Sequence, residues 1–304
     1  MKQQGAGRER GADFLDGPSR IAILGTGLMG ASAGLALRAR GFSGSIAGWD
    51  PNPGQLHVAL RREAITVMAD DPLAAAAEAE IIVLGGPVFT ILEWLDRLAP
   101  ILRESQLVTD VGSVKGAVCA RARDKYNHPG QPGFLPGHPM AGKEVSGAEN
   151  ADAALFEGAV WLFTPCGPGE RDSPAAQAWR AWVARCGARA IDMDPERHDL
   201  LCAWISHLPQ FVSTAMCALL EDEFSANADL LPIGGRALRE MTRLGASPFS
   251  MWRDIAHTNS EAIARSLDAL EQRLAHIREN LKTPELRDEF DRAHRFRLRD
   301  PRNP

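Results

Sequence analysis

Arg20-Ile21-Ala22-Ile23-Leu24 is a short apolar run that enters Gly25-Thr26-Gly27-Leu28-Met29-Gly30, and an alanine- and leucine-rich stretch continues to Arg40. Strand, glycine turn and helix in that order constrain the fold more than any other feature of the chain. Glycines in such a turn permit a tight reversal and close approach of a pyrophosphate, while the helix N-terminus offers N–H groups to the phosphates. A second run, Ser45–Trp49, ends at Asp50, twenty residues past Gly30. That is where an acid hydrogen-bonds the adenosine ribose and repels a 2′-phosphate, so the expected cofactor is NAD rather than NADP. A plain turn at Asp50-Pro51-Asn52 would explain the residue types but not their distance from the glycines.

The next strands extend this pattern. Ile81-Ile82-Val83-Leu84 is continuously apolar, as in a strand buried on both faces of a parallel sheet, and ends in Gly85-Gly86-Pro87-Val88. Leu107-Val108-Thr109 ends in Asp110-Val111-Gly112-Ser113-Val114-Lys115. Loops at the carboxyl ends of parallel strands line the ligand crevice, so Pro87, Asp110 and Ser113 join Gly25, Thr26, Gly27, Leu28, Met29, Gly30 and Asp50 as candidate cofactor contacts. Ser113 has two readings, a helix N-cap or a hydroxyl bonded to substrate. Ala159–Phe163 and Ala188–Ile191 read as further strands, separated by an exposed Gly/Pro/Asp loop between Pro165 and Pro174 and a helix carrying Trp179 and Trp182. After Pro195 no strand pattern recurs. The expected organisation is a mobile tail (1–18), a doubly wound Rossmann-type α/β domain (19–192) and an all-α domain (193–304).

Gly137-His138-Pro139-Met140-Ala141-Gly142-Lys143-Glu144 holds one histidine among glycines and a rigid proline, with a carboxylate six residues on. A histidine so fixed is placed to exchange a proton at neutral pH, although a buried histidine that merely satisfies hydrogen bonds is the commoner case. Downstream, Pro209 falls inside the helical stretch containing Ile205-Ser206-His207-Leu208 and predicts a kink with a free acceptor at Ile205. His207, Gln210 and Thr214 share one helix face, either toward a cleft or in a satisfied core. Ile263, Leu267, Leu270, Leu274, Ile277 and Leu281 form a narrow seam for packing on another helix, which could belong to a second subunit. Lys282–Pro304 reads as a solvated extension.

Composition excludes several functions. The 304 residues are 45% hydrophobic with a net charge of −5, which gives no field to attract nucleic acid or anionic membrane. No run is expected to approach the roughly 20 apolar residues of a membrane span. Cys119, Cys166, Cys186, Cys202 and Cys217 are odd in number and lack CxxC spacing, arguing against a disulfide framework and a metal site. With no apolar core of a secretory signal in the first residues, the expected compartment is the cytoplasm.

Taken in order, these motifs resemble the prephenate and arogenate dehydrogenases of tyrosine biosynthesis. The carriers are the glycine turn, Asp110–Lys115, Gly137–Gly142, Ile205–Pro209, and Thr242-Arg243 with Met251-Trp252. The resemblance implies an NAD-dependent oxidative decarboxylation of prephenate, or of arogenate, by a homodimer whose active site lies between the two domains. It implies that His138 contacts the substrate ring hydroxyl, that Ser113 supports it, that Arg243 holds a substrate carboxylate and that Glu144 controls access. His207, Gln210 and Trp252 fall beside the substrate. Two departures bear on specificity. Family members often carry a second histidine where this chain has Gln210, and a glycine-rich turn and an aspartate where it has Arg236, Ala237 and Glu240. Rival readings are a β-hydroxyacid dehydrogenase, which would ordinarily use a lysine base absent here between Ala188 and Leu281, and a non-catalytic NAD-responsive binding protein.

Overall fold

A computed structural model of the chain describes residues 17–166, 173–224 and 229–299. The expected tail, apart from its last two residues, and most of the loop between Pro165 and Pro174 lie outside the described residues. The chain opens with β1 (Arg20–Leu24), α1 (Leu28–Ala39), β2 (Ser45–Trp49), α2 (Pro53–Arg61), β3 (Val67–Met68), α3 (Pro72–Glu78) and β4 (Ile81–Leu84). It continues with α4 (Val88–Leu98), β5 (Leu107–Asp110), α5 (Gly116–Ala122) and β6 (Gly133–Leu135). The six strands form one parallel sheet in the order β3-β2-β1-β4-β5-β6. The order reverses between β1 and β4, which opens a crevice at their carboxyl ends.

The apolar strands explain why helices cover both faces. Ile21 and Ile23 of β1 pack into one core with Ala31, Leu37, Trp161 and Trp179. Ala22 and Leu24 point the other way, into a core with Ile91, Trp94, Leu95 and Val118. All four residues of β4 are fully buried, as a strand covered on both sides requires.

Pro136 separates the first sheet from a second, in which β7 (Gly137–Pro139) runs antiparallel to β8 (Val160–Phe163), and β8 runs parallel to β9 (Arg189–Asp192) after α6 (Pro174–Arg185). The remainder is helical: α7 (Pro195–Cys202), a π-helical turn (Ala203–His207), α8 (Leu208–Phe224), α9 (Leu230–Ile233), α10 (Arg236–Thr242), α11 (Phe249–Thr258), α12 (Ser260–Glu279) and α13 (Glu285–Arg297). The expected kink at Pro209 takes the form of that π turn. A widened turn accommodates the missing N–H that would have reached back to Ile205.

Two expectations need correction. Residues 282–304 are not simply an extension, because Glu285–Arg297 forms a helix with acidic residues in its first turn and basic residues in its last, complementing the helix dipole. Glu289 of α13 also accepts from Arg273 of α12 at 2.7 Å. Likewise, the helical stretch Pro195–Phe224 is long and apolar enough, by length and composition, to cross a membrane, at a mean hydropathy of 1.2. Its sequence is interrupted by polar residues on both sides: His198, Asp199, His207 and Gln210 are buried against the rest of the protein, and Glu196, Arg197 and Glu221–Glu223 are exposed. The seam is covered at Ile263 and open at Leu274 and Leu281.

Candidate active site

A cavity of about 610 Å³ lies where the carboxyl ends of β4, β5 and β7 meet the π turn and α11. Leu28 and Met29 of the glycine turn, Pro87 and Ser113 line one side; Gln210, Arg243 and Trp252 line the other, with His138 and Glu144 between them.

The glycine turn is built for close backbone contact. Gly25 has a φ of +100°, and a Cβ on it would fall 2.9 Å from the Gly85 carbonyl carbon. A Cβ on Gly30 would sit 1.9 Å from the Gly25 oxygen, whereas one on Gly27 would meet nothing within 4 Å. Gly25 and Gly30 thus serve packing, and Gly27 leaves open space at the start of α1, where a phosphate can approach the helix N-terminus. Asp50 closes this turn, accepting from Thr26 N at 2.8 Å through Oδ2 and from Asn52 N at 2.9 Å through Oδ1. The carboxylate therefore stands at the end of β2 beside the turn, and the open space at Gly27 with an acid nearby fits a dinucleotide. The Thr26 side chain is buried and does not face the groove.

Asp110, expected as a cofactor contact, lies beneath the cavity rather than on its wall. It is fully buried and ion-paired with the equally buried Lys115, while its Oδ2 accepts from Gly112 N at 2.9 Å and its Oδ1 from Gly137 N at 3.2 Å. Lys115 Nζ donates to Gly137 O at 2.8 Å. The ion pair thus holds both backbone polar groups of the residue before His138. Gly137 has no room for a side chain, since a Cβ would lie 2.7 Å from Trp161 Nε1 and 2.8 Å from Asp110 O.

His138 sits on β7 opposite Leu162 of β8 and is almost completely buried, with its ring at the cavity wall. Its Nδ1 lies 2.8 Å from His198 Nε2, and His198 Nδ1 lies 2.8 Å from Asp199 Oδ1. Burial, reinforced by His198, Lys115 and His207, pushes the His138 pKa well below 6.5. The ring is neutral at physiological pH.

Neither His198 nor Asp199 stood out in the sequence. The available signal was a His-Asp pair in the first helix after the domain boundary, preceded by the Asp194-Pro195 helix start. Ser113 is not the N-cap of α5: Asp199 accepts from Lys115 N and Gly116 N, both at 2.8 Å, so the start of α5 is capped by Asp199. Ser113 is left facing the cavity. A second carboxylate works similarly, as Asp254 of α11 accepts from Phe89 N in the first turn of α4 at 3.1 Å. Both carboxylates dock the helical part onto helix N-termini beside the cavity.

The opposite wall is held differently. Arg243 is ion-paired with Glu144, and its side chain remains 59% exposed. Gln210 lines the cavity, but its amide is committed: Nε2 donates to Leu244 O at 2.7 Å and to Thr214 Oγ1 at 3.2 Å, and Oε1 accepts from Ser247 Oγ at 3.1 Å. It braces α8 against the segment carrying Arg243. Trp252 lies edge-on to His207 and Phe211, and its indole N–H, buried at the wall, has no partner among the described residues. His207 does not line the cavity. It is fully buried behind it, with Nδ1 at 3.3 Å from Asn259 Nδ2 and its pKa pushed down to about 4 by burial.

Among the described residues, His138, His198 and Cys202 offer donor atoms within 4.8 Å of one another, a spacing a metal ion could bridge. Those atoms are already committed to one another: the two rings share a hydrogen bond, and burial pushes the Cys202 thiol up to about 12, keeping it protonated.

Comparison with known proteins agrees with this fold. Over 254 residues the chain is 32% identical to prephenate dehydrogenase of Bacillus subtilis, covering 82% of this chain and 66% of that protein. The crystal structure of Aquifex aeolicus prephenate dehydrogenase in complex with hydroxyphenyl propionate and NAD+ superposes with a TM-score of 0.81 at 29% identity, covering 92% of this chain and 97% of that one. Synechocystis arogenate dehydrogenase superposes with a TM-score of 0.72 at 28% identity, covering 91% and 98%. Residues 33–192 match the family profile described as prephenate dehydrogenase, nucleotide-binding domain, and residues 194–295 match its dimerization domain. The chain belongs to the prephenate dehydrogenase family.

Proposed function

We propose that this chain is a cytoplasmic NAD-dependent dehydrogenase that converts prephenate to 4-hydroxyphenylpyruvate and CO2, with arogenate as the alternative substrate. The observation that carries the reading is His138: a neutral ring with one nitrogen bonded behind it to His198, at the wall of a cavity that also holds an arginine. Gly25–Gly30 and Asp50 would hold the dinucleotide, with Leu28, Met29, Pro87 and Ser113 extending toward its reactive end. Bound there, NAD supplies the acceptor for hydride from C4 of the substrate ring, and loss of CO2 from C1 leaves the ring aromatic.

The residues of the chain do the rest. His138 takes the proton of the ring hydroxyl through Nε2, the nitrogen not bonded to His198, a role suited to an imidazole that is neutral at pH 7. Ser113 offers its hydroxyl to the same oxygen. Arg243 exchanges its ion pair with Glu144 for a substrate carboxylate, and Trp252 offers its unpartnered N–H. Arg243 must hold that carboxylate no more tightly in the ground state than in the transition state, because only the difference accelerates the reaction.

Dimerisation belongs to the same reading. Ile205, Leu219, Leu231, Ile233 and Leu274 all leave more than half of their surface exposed on the helical part. A second copy covers them.

The test is NADH formation by the purified protein with NAD, supplied separately with prephenate and with arogenate. Turnover of prephenate supports the reading as stated, and turnover of arogenate alone moves the specificity. If neither reacts while NAD binds, the binding-protein reading replaces it.

A further inference from the structure

The hydrogen-bond chain behind His138 has a direction that can be read from its far end. Asp199 accepts from two backbone N–H groups, Lys115 N at Oδ1 and Gly116 N at Oδ2. A carboxylate committed in this way is also the acceptor in its 2.8 Å contact with His198, so the proton of His198 lies on Nδ1. Neutral His198 then presents a lone pair at Nε2. Cys202 Sγ, 3.6 Å from that nitrogen, is a protonated thiol that can only point a weak donor at it. His138 Nδ1, 2.8 Å from the same lone pair, must therefore carry a proton. A neutral ring with its proton on Nδ1 has its lone pair on Nε2.

We propose that His198 and Asp199 are positioning residues for the reaction: acting in series, they fix the tautomer of His138 that can accept a proton from the cavity. With the opposite tautomer His138 would present N–H to the substrate hydroxyl and could not act as a base. The arrangement follows the logic by which a buried carboxylate orients a catalytic imidazole in hydrolases, with a second imidazole interposed. Asp199 has a second effect, because the same carboxylate caps α5 directly after the loop carrying Ser113. One side chain thereby sets both the direction of the base and the place of the hydroxyl beside it. This inference rests on His138 being the base in the proposed reaction.

The test compares two replacements of His198. In His198→Gln the amide spans about the same gap as the ring, donating to Asp199 through Nε2 and accepting from His138 through Oε1, so the direction of the chain is preserved. In His198→Leu the acceptor is gone, while the volume stays apolar and similar. The expected result is that His198→Gln keeps kcat within roughly tenfold and His198→Leu loses roughly 100-fold or more, with KM and NAD affinity unchanged in both. A purely structural His198 predicts otherwise: both variants would lose stability, and kcat of the folded protein would be alike in the two. Equal kcat in the two variants would overturn the proposal. The second readout needs neither substrate nor a folded leucine variant: 15N spectra of the histidine rings in the wild-type protein and in His198→Gln. Both should show His138 protonated at Nδ1 and bare at Nε2 at neutral pH, and a proton found on Nε2 would overturn the proposal even if prephenate and arogenate both prove inert.

Discussion

The two walls of the cavity are built on opposite principles. Behind His138 the groups that fix it are buried and paired with one another: Asp110 and Lys115 hold Gly137 front and back, and His198 and Asp199 hold the imidazole. Across the cavity, Arg243 is more than half exposed and answers to one carboxylate, Glu144. A buried ion pair with additional hydrogen bonds has one geometry, because the alternative is an uncompensated charge. An exposed pair contributes little to stability and exchanges readily for another anion. The difference teaches where chemistry and choice reside, with the proton-accepting ring on the fixed wall and the substrate-anchoring cation on the exchangeable one.

Substitutions on each wall can break this comparison. The largest effect is expected for His138→Asn, which should lower kcat by roughly 10²- to 10⁴-fold with NAD affinity retained. Steady-state kinetics with an independent NAD titration check it, and a near-normal rate would remove His138 from the reaction. Next is Lys115→Met, which leaves Asp110 buried without its partner. Urea unfolding should show a loss of about 3–5 kcal/mol, the scale for breaking one side of a buried pair. Arg243→Ala tests the other wall. Loss of a charge-assisted hydrogen bond worth about 1.5–3 kcal/mol should raise KM roughly 10- to 100-fold with kcat little changed and stability unaltered. A collapsed kcat at unchanged KM would contradict anchoring. The smallest effect is expected for Arg236→Ala, whose exposed i,i+4 pair with Glu240 should contribute only about 0.3–0.5 kcal/mol.

The sequence revealed the fixed framework better than the contacts that fix it. Strands β1, β2, β4 and β5 were legible because burial on both faces leaves continuous apolar runs, and Asp50 was legible because its distance from the glycines is set by the length of one βαβ unit. The two-residue β3 carries no periodic signal, and the charged α13 looks like solvated chain until its end charges are weighed against the helix dipole. His138 could be picked out by its glycines and proline. His198 and Asp199 could not, because their partners lie 60 and 84 residues away. The same limit hid the surroundings of Asp110: an acid at the end of a strand reads as a ligand contact until Lys115 is seen folded back beneath it. Gln210 was recognised as a departure at the right place, yet its amide serves Leu244, Thr214 and Ser247 rather than an open subsite.

The most direct test of the account is the pH dependence of kcat/KM in the wild-type protein, measured with whichever of the two substrates it turns over. The base must be unprotonated to act. Because burial, His198, Lys115 and His207 hold the His138 pKa well below 6.5, activity should stay level from neutral pH down through 6.5 and fall only on further acidification. An acid limb centred at or above 6.5 would contradict a buried, neutral His138 as the base.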